Sequence, residues 1–152
     1  MNANESRINA QTISGIQLNE VTSFLWVKDA IREIVTRHYK AGKKVTDTFD
    51  NAVKGQKYSF TKELVRLISV QNASGRTVSP NFGYVVDSDN TIEFTDAGTY
   101  RATYYSMPPM PQTAEEQLPI PQPYQECIPY YLASKIRARL FGQTDADAVS
   151  FM

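Results

Sequence analysis

The sequence predicts an α+β protein in which an antiparallel β meander of about four strands is inserted into a small helical bundle. Three observations lead to this prediction. An amphipathic segment precedes residue 43, short alternating segments separated by turn residues fill 43–106, and a second helical segment follows residue 123. Apolar residues three and four apart indicate helices, whereas alternation indicates half-buried strands. The 152 residues are expected to form a single domain.

The first 18 residues are polar, with aliphatic side chains scattered among them. This composition predicts an N-terminal arm or a weakly ordered helix over residues 1–18. Segments of this kind often become ordered against a partner.

The clearest helix is predicted within residues 19–42, with its regular part over 21–39. Its apolar stripe follows helical spacing and consists of Phe24, Val27, Ile31, Ile34, Val35 and His38. Gly42 is a typical helix terminator. Trp26 projects away from the stripe, so it lies either at the edge of the core or in a contact with another subunit.

The inserted β region is predicted over residues 43–106. Turn residues at 72–75, 87–90 and 96–98 separate segments rich in β-branched and aromatic residues. The last segment, 99–106, alternates. One of its faces carries Tyr100, Ala102 and Tyr104, and the other carries Arg101, Thr103 and Tyr105.

A proline-rich arm is predicted over residues 107–123, because six of the sixteen residues in 108–123 are proline. Proline fixes φ near −65° and donates no hydrogen bond, so this segment is neither a central strand nor a helix interior. We expect a stiff connection that crosses open space. Its first residues are candidate interface residues: Met107, Pro108, Pro109 and Met110.

Two C-terminal helices are predicted over residues 124–152. The first begins near Pro123 or, because Pro129 disrupts a helix interior, near Glu126. One stripe consists of Ile128, Leu132, Ile136 and Leu140, and a second face carries Cys127, Tyr130 and Phe141. The second face packs either within the domain or against an adjacent subunit. Thr144 or Asp145 is expected to cap the next helix.

The residue types predict no metal site, no cofactor and no enzyme. One histidine and one cysteine leave no Cys or His pair for zinc, and the acidic pairs suit turns and helix caps. His38 is expected to be packed or favoured by the helix dipole, and Cys127 to be an inert core residue. If the chain were an enzyme, the first candidates would be Glu63, Glu93 and Asp96.

The overall charge and hydropathy restrict the partners. Sixteen basic residues balance sixteen acidic ones, which argues against binding nucleic acid mainly through phosphates but leaves a local basic patch open. No apolar run approaches the roughly 20 residues that span a bilayer. A single cysteine excludes a disulfide within the chain.

The order of these segments resembles the head-to-tail connector, or adaptor, proteins of tailed bacteriophages. These have an amphipathic first helix, an inserted β region, a strand that ends in Tyr-Tyr-x-x-Pro, and a proline-rich approach to a final helical pair. The corresponding residues are 26–34, 92–94 with Gly98, 104–108, 118–124, 130–135 and 145–147.

The resemblance implies a structural protein of the virion neck. It implies a homo-oligomeric ring, often of twelve subunits, that binds the portal protein and a tail or neck protein and surrounds DNA without sequence specificity. No membrane partner is expected, because no apolar run is long enough to span a bilayer. The candidate interface residues are Trp26, Met107, Pro108, Pro109, Met110, Tyr124, Tyr130 and Phe141. The alternatives are a tail-completion or baseplate protein and a non-viral protein-interaction module.

Overall fold

A computed structural model describes residues 1–141, which form two compact units. The helical unit combines residues 1–41 with the chain from Pro108 onward, and the β unit is the continuous segment Gly42–Met107. The mixed α+β class is confirmed. The region expected to carry the strands, 43–106, differs from the β unit by one residue at each end. The chain, expected to be a single domain, is described as two compact units.

The helical unit contains α1 (Ala3–Ser14), α2 (Glu20–Arg37), the single turn α3 (Gln122–Gln125) and α4 (Cys127–Phe141). A short 3-10 turn, Tyr39–Ala41, follows α2. α1 packs against both α2 and α4, and α2 also packs against α4. None of the helices within residues 1–141 combines the length and apolar character needed to cross a bilayer.

The N-terminal segment forms a well-capped helix, where the sequence suggested an arm or a weakly ordered helix. The Asn2 side chain accepts a hydrogen bond from the backbone N–H of Glu5, whose carboxylate accepts one from the Asn2 N–H in return. This reciprocal capping satisfies two donors that a helix start leaves unpaired. Gly15 ends the helix at φ 72°, a left-handed conformation that glycine adopts without strain. Between the caps, Ala3, Ser6 and Ala10 are buried at helical spacing.

The second helix confirms most of the stripe read from the sequence. Its start is capped by Asn19, and Val27, Ile31, Ile34 and Val35 are fully buried. His38 departs from the stripe, because α2 ends at Arg37 and His38 takes up a non-helical conformation that leaves it exposed. Of the two expectations for His38, a packed ring or a position favoured by the helix dipole, the structure places it at the C-terminal end of α2 as the cap residue, with its ring 5.8 Å from that of Tyr124.

The proline-rich segment does not cross open space. Its residues Pro108, Pro111, Leu118 and Ile120 are buried. The Leu118 N–H donates to the Met1 carbonyl at 2.9 Å, and the Asn4 N–H donates to the Ala114 carbonyl at 3.2 Å. The proline-rich segment and the N-terminus thus pair within the helical unit. Backbone groups of the segment that have no partner in a helix or strand, such as the Leu118 N–H and the Ala114 carbonyl, are bonded by the first four residues.

The helical conformation is interrupted at Glu126, between α3 and α4. α4 therefore begins at Cys127, and Pro129 is its third residue. This is the later of the two starts considered from the sequence. Proline is tolerated there because the first N–H groups of a helix have no partner within it. Ile128 and Leu132 are fully buried. The predicted last helix and its cap fall outside the described residues.

The β unit contains two antiparallel sheets of three strands each, not the single meander of about four strands that was predicted. In the first sheet, the order is β1 (Lys43–Ala52), β6 (Gly98–Ser106) and β3 (Leu64–Asn72). In the second, it is β2 (Lys57–Ser59), β5 (Thr91–Phe94) and β4 (Tyr84–Asp87). The prediction assumed that each strand pairs with the next one along the chain. In the structure, β6 instead pairs with β1 and β3, which are distant from it in sequence.

An aromatic core joins the two sheets. Phe94 of the second sheet stacks on Tyr100 of the first with ring centroids 4.0 Å apart, and Phe60 meets Tyr104 edge-on at 5.0 Å. The even-numbered positions of β6 point inward, as their alternation predicted. Aromatic pairs of this geometry add to the stabilisation from buried apolar area.

Two bulges adapt β3 to this core. Its pairing with β6 shifts between Leu64 and Arg66 and again between Leu67 and Ser69. Each shift adds one residue on β3, so Leu64, Leu67 and Val70 all contact the core although they are three apart in sequence. In a regular strand, residues three apart lie on opposite faces, so Leu67 would point away from the core.

A polar network holds the chain where it passes from β2 in the second sheet to β3 in the first. The buried Asp47 carboxylate accepts hydrogen bonds from the Thr61 N–H at 2.8 Å, the Thr61 hydroxyl at 2.6 Å and the Tyr104 hydroxyl at 2.8 Å. The Asn90 side chain accepts from the Leu64 N–H and donates to the Lys62 carbonyl. These bonds replace the ladder bonds that the crossing backbone lacks.

Candidate interaction surfaces

A groove of about 460 Å³ runs between α1 and the start of α4 in the helical unit. Its walls combine apolar side chains with a few polar ones: Met1, Asn9, Thr12, Ile13, Glu126, Pro129 and Tyr130. A concave surface of this mixture suits a partner side chain that is itself apolar.

The groove follows from the local structure of both helices. Asn9 and Ile13 are four residues apart on α1 and therefore share a face. Pro129 and Tyr130 lie near the start of α4, where the break at Glu126 sets the direction of the helix. Ile13 is 38% exposed and Tyr130 44% exposed, so both present apolar area to solvent in the single chain.

A separate apolar ridge lies at the start of α2. Val21 is 71% exposed and Leu25 is 53% exposed, and their four-residue spacing places them on one face of the helix. Single exposed apolar residues are normal, whereas contiguous apolar patches mark interaction surfaces, so the pairing of Val21 with Leu25 makes this end of α2 a candidate. We call Val21 and Leu25 the α2 ridge, and the cavity between α1 and α4 the α1–α4 groove.

The structure separates the interface candidates chosen from the sequence. Tyr130 lines the α1–α4 groove, whereas Trp26 and Tyr124 are half-buried elsewhere in the helical unit.

Around the first prolines, Pro109 is exposed and Met110 half-buried, but Met107 and Pro108 are buried. Met107 and Pro108, which the sequence analysis named as interface candidates, therefore present little area to solvent in the single chain. They belong to the segment that was expected to be an open arm. The side chain of Phe141 lies outside the described residues.

The sequence analysis missed Ile13, Val21 and Leu25. Ile13 was assigned to an arm, and Val21 and Leu25 lie outside the apolar stripe that defined α2. The sequence contained one usable signal for Val21 and Leu25: both are apolar residues of α2 that lie outside its buried stripe, which indicates exposure to solvent. Which of these residues border a groove depends on how α1 packs against α4, and that packing is not visible in the sequence.

The side chains considered for catalysis are dispersed. Glu93 lines one cavity of the β unit together with Val85 and Phe94, whereas Glu63 lines a different one beside Asn90. Asp96 lies in an exposed turn. Within residues 1–141, no three His, Cys, Asp or Glu side chains come together to hold a metal ion.

Cys127 is partly buried at the start of α4. Burial raises the pKa of its thiol, and the neighbouring Glu126 carboxylate adds to the effect. A raised pKa lowers the fraction of the thiolate, which is the reactive form.

No protein-family model matches this chain, and no curated protein matches it either. Function is inferred from the side chains of the chain itself and from their arrangement.

Proposed function

We propose that this chain is a structural subunit of the neck of a tailed bacteriophage, a head-to-tail connector that forms a ring between portal and tail. One observation supports this most: the helical unit carries two different apolar surfaces, the concave α1–α4 groove and the projecting α2 ridge. Closed rings are built from head-to-tail contacts, and such contacts require each subunit to present two unlike surfaces that fit each other.

In the proposed ring, the α2 ridge of one subunit enters the α1–α4 groove of the next. Leu25 and Val21 supply the apolar side chains, and Tyr130 supplies an aromatic wall of the groove. Burial of one such aliphatic side chain contributes about 1.5–3 kcal/mol. Since every subunit repeats the contact, a closed ring gains this contribution once per interface.

The remaining partners follow from the neck position. The portal protein lies on one side of the ring and a tail or neck protein on the other, and DNA passes through the channel. The chain assembles in the host cytoplasm and resides in the virion. We propose that it acts through assembly and not through catalysis.

Two related roles use the same surfaces. A tail-completion or baseplate protein also forms a ring, and image reconstruction of the particle distinguishes these positions. A protein-interaction module of a cellular complex is distinguished by the genes that flank the coding sequence. Genes for portal, capsid and tail proteins are expected there if the proposal is right.

Native mass spectrometry over a range of protein concentrations tests the proposed contact. The wild-type chain is expected to form one dominant closed oligomer, and Leu25→Glu is expected to remain monomeric because it places a carboxylate against the apolar side chains of the groove, which already contains the Glu126 carboxylate. Val53→Glu is the matched control, since Val53 is 55% exposed and Leu25 53% exposed but Val53 lies in the β unit. It is expected to assemble normally.

Two results would contradict the proposal. One is a wild-type chain that stays monomeric at every concentration, also with the portal protein present. The other is a Leu25→Glu variant that assembles as well as Val53→Glu, which would exclude the α2 ridge from the interface.

A further inference from the structure

Nine paired side chains form three rows across the outer face of the first sheet, and the two unpaired bulge residues of β3, Val65 and the 44% exposed Ile68, lie between the rows. The pairing registers define the rows, each read from β1 through β6 to β3: Lys44, Tyr105 and Arg66; Thr46, Thr103 and Ser69; Thr48, Arg101 and Gln71. We call these nine residues the donor face. The Thr46 and Thr103 hydroxyls lie 3.3 Å apart, which shows that neighbouring strands turn these residues to the same side.

The donor face is rich in hydrogen-bond donors and positive charge. Three of its side chains are cationic, five carry hydroxyls, one is an amide and none is a carboxylate. Asp47, between Thr46 and Thr48 on β1, is buried with its carboxylate bonded to Thr61 and Tyr104. The next acidic residues along the strands are Asp50, beyond Thr48 on β1, and Glu63, which precedes β3. The Asp50 and Glu63 carboxylates therefore flank the face without entering its three rows.

A cavity of about 240 Å³ lies at one end of the donor face. The third row forms part of its wall, and the rest comes from the turn after β3 and the start of β6: Thr48, Gln71, Asn72, Ala73, Gly75, Thr99, Tyr100 and Arg101. Arg101 is the one charged side chain among these lining residues. A guanidinium surrounded by hydroxyl and amide groups can bind a phosphate through two parallel hydrogen bonds.

The outer face of the second sheet provides a comparison within the same unit. Its two rows, read from β2 through β5 to β4, are Lys57, Glu93 and Val85, then Ser59, Thr91 and Asp87. One cation therefore faces two carboxylates, and Lys57 forms an ion pair with Asp87. Since the whole chain has sixteen basic and sixteen acidic residues, the positive charge of the donor face is a local concentration.

We propose that the donor face binds the sugar–phosphate backbone of duplex DNA without sequence specificity, with one phosphate held by Arg101 in the cavity. Phosphate contacts from lysine, arginine and hydroxyl groups position a protein on DNA but do not read bases. Single-strand binding depends on several aromatic side chains that stack on successive bases, whereas the donor face carries Tyr105 alone. The duplex is therefore the favoured form.

This inference deepens the proposed function, because it names the surface that meets DNA in the channel of a ring. It rests on the proposed function only for the source of the DNA. All nine residues belong to the β unit, so a single subunit presents the complete donor face.

The proposal predicts how strongly the affinity for DNA depends on salt concentration. Three cations that neutralise three phosphates predict a slope of log K against log salt of about −2.7 for one subunit. A fourfold rise in salt concentration then weakens binding on the order of 40-fold. With only one of the three cations left, the slope is about −0.9, and the same rise weakens binding about fourfold.

Fluorescence anisotropy with a short random-sequence duplex tests this prediction, beginning at low salt. The double variant Lys44→Gln, Arg101→Gln is expected to lose about two thirds of the wild-type slope, since each lost phosphate contact lowers it by about one. This fraction is the same whether one subunit or several touch the DNA. Lys57→Gln removes one charge from the opposite face and is expected to keep the wild-type slope.

Three results would overturn the inference: no binding of duplex DNA at low salt, equal slopes for the wild type and the double variant, or tighter binding of a single strand of the same length. Circular dichroism confirms that the exposed substitutions leave the fold intact. Native mass spectrometry of the same samples separates the two proposals. A monomer that binds DNA with the expected slope contradicts only the ring, and a ring that ignores DNA contradicts only the donor face.

Discussion

The β unit and the helical unit achieve their cores in opposite ways. The β unit is one continuous segment whose core is built from aromatic rings and held by a buried carboxylate. The helical unit joins two distant segments around small and aliphatic side chains such as Ala10, Ile31 and Leu132. All the residues that form the core of the β unit lie within one segment of the chain. The core of the helical unit, by contrast, forms only when the N-terminal and C-terminal segments pack together.

The largest expected effect concerns isolated fragments. Residues 42–107 expressed alone are expected to fold, because every residue of the aromatic core lies within them. Residues 1–41 alone are expected to remain largely unfolded, since α1 and α2 lose their contacts with α4. Dispersed amide signals in the NMR spectrum of the first fragment and collapsed signals in the second would show this. A folded fragment 1–41 would contradict the comparison.

Core truncation is expected to affect the units one at a time. Phe94→Ala should cost the β unit about 3–5 kcal/mol, and Ile31→Ala should cost the helical unit about 2–5 kcal/mol. Hydrogen exchange resolved by residue measures the two separately. Phe94→Ala is expected to lower amide protection in 42–107 and Ile31→Ala in the helices, and loss of protection across both units from either variant would show that they fold as one.

The buried carboxylate of the β unit provides a sharper test. Asp47→Asn keeps the size of the side chain but replaces an oxygen that accepts hydrogen bonds with an amide group that donates them. A buried donor left without a partner costs about 1–3 kcal/mol, so urea unfolding should show a loss of this size. Asp50→Asn is the control, because Asp50 is exposed on the same strand and should change stability little. Equal losses for the two variants would remove the special role of Asp47.

High pH is expected to weaken the β unit through its tyrosines. Burial raises the pKa of the Tyr84, Tyr100 and Tyr104 hydroxyls above their ordinary value of 10.0. Above pH 10.0 the unfolded chain releases these protons while the folded unit still holds them, so stability falls as pH rises toward the folded pKa values. Thermal unfolding followed across this range measures the fall, and Tyr104→Phe should make it shallower.

The smallest expected effect concerns a helix cap. The Asn19 side chain accepts hydrogen bonds from the N–H groups of Val21 and Thr22 at 2.9 and 3.1 Å. Asn19→Ala should cost about 1 kcal/mol, and Asn19→Ser should retain most of the stability. Chemical unfolding monitored by helical circular dichroism measures both. A loss of the same size for Asn19→Ser would show that the effect does not depend on capping.

Local patterns in the sequence predicted the parts that depend on neighbouring residues. The stripe from Val27 to Val35 identified α2 and its buried face, and the alternation of β6 identified its inward side, Tyr100 to Tyr104. These assignments succeeded because side-chain direction in a helix or strand repeats with a fixed period. The same alternation placed Arg101, Thr103 and Tyr105 together on the outer side.

Other features escaped the sequence because they depend on distant contacts. The role of Asp47 requires Thr61 and Tyr104 to reach it, and nothing in residues 46–48 indicates burial. The proline-rich segment looked open because its backbone partners, Met1 and Asn4, lie more than one hundred residues away in sequence. The α1–α4 groove was hidden for the same reason.

By itself the sequence determined the α+β class, the position of the inserted strands and the buried stripe of α2. It could do so because propensity and periodicity act over a few residues. Only the tertiary structure decided that six strands divide between two sheets, that two bulges align β3 with the core, and that Lys44, Arg66 and Arg101 share one face. Pairing register and helix packing set these features, and both depend on the free energy of contacts between residues far apart in the chain.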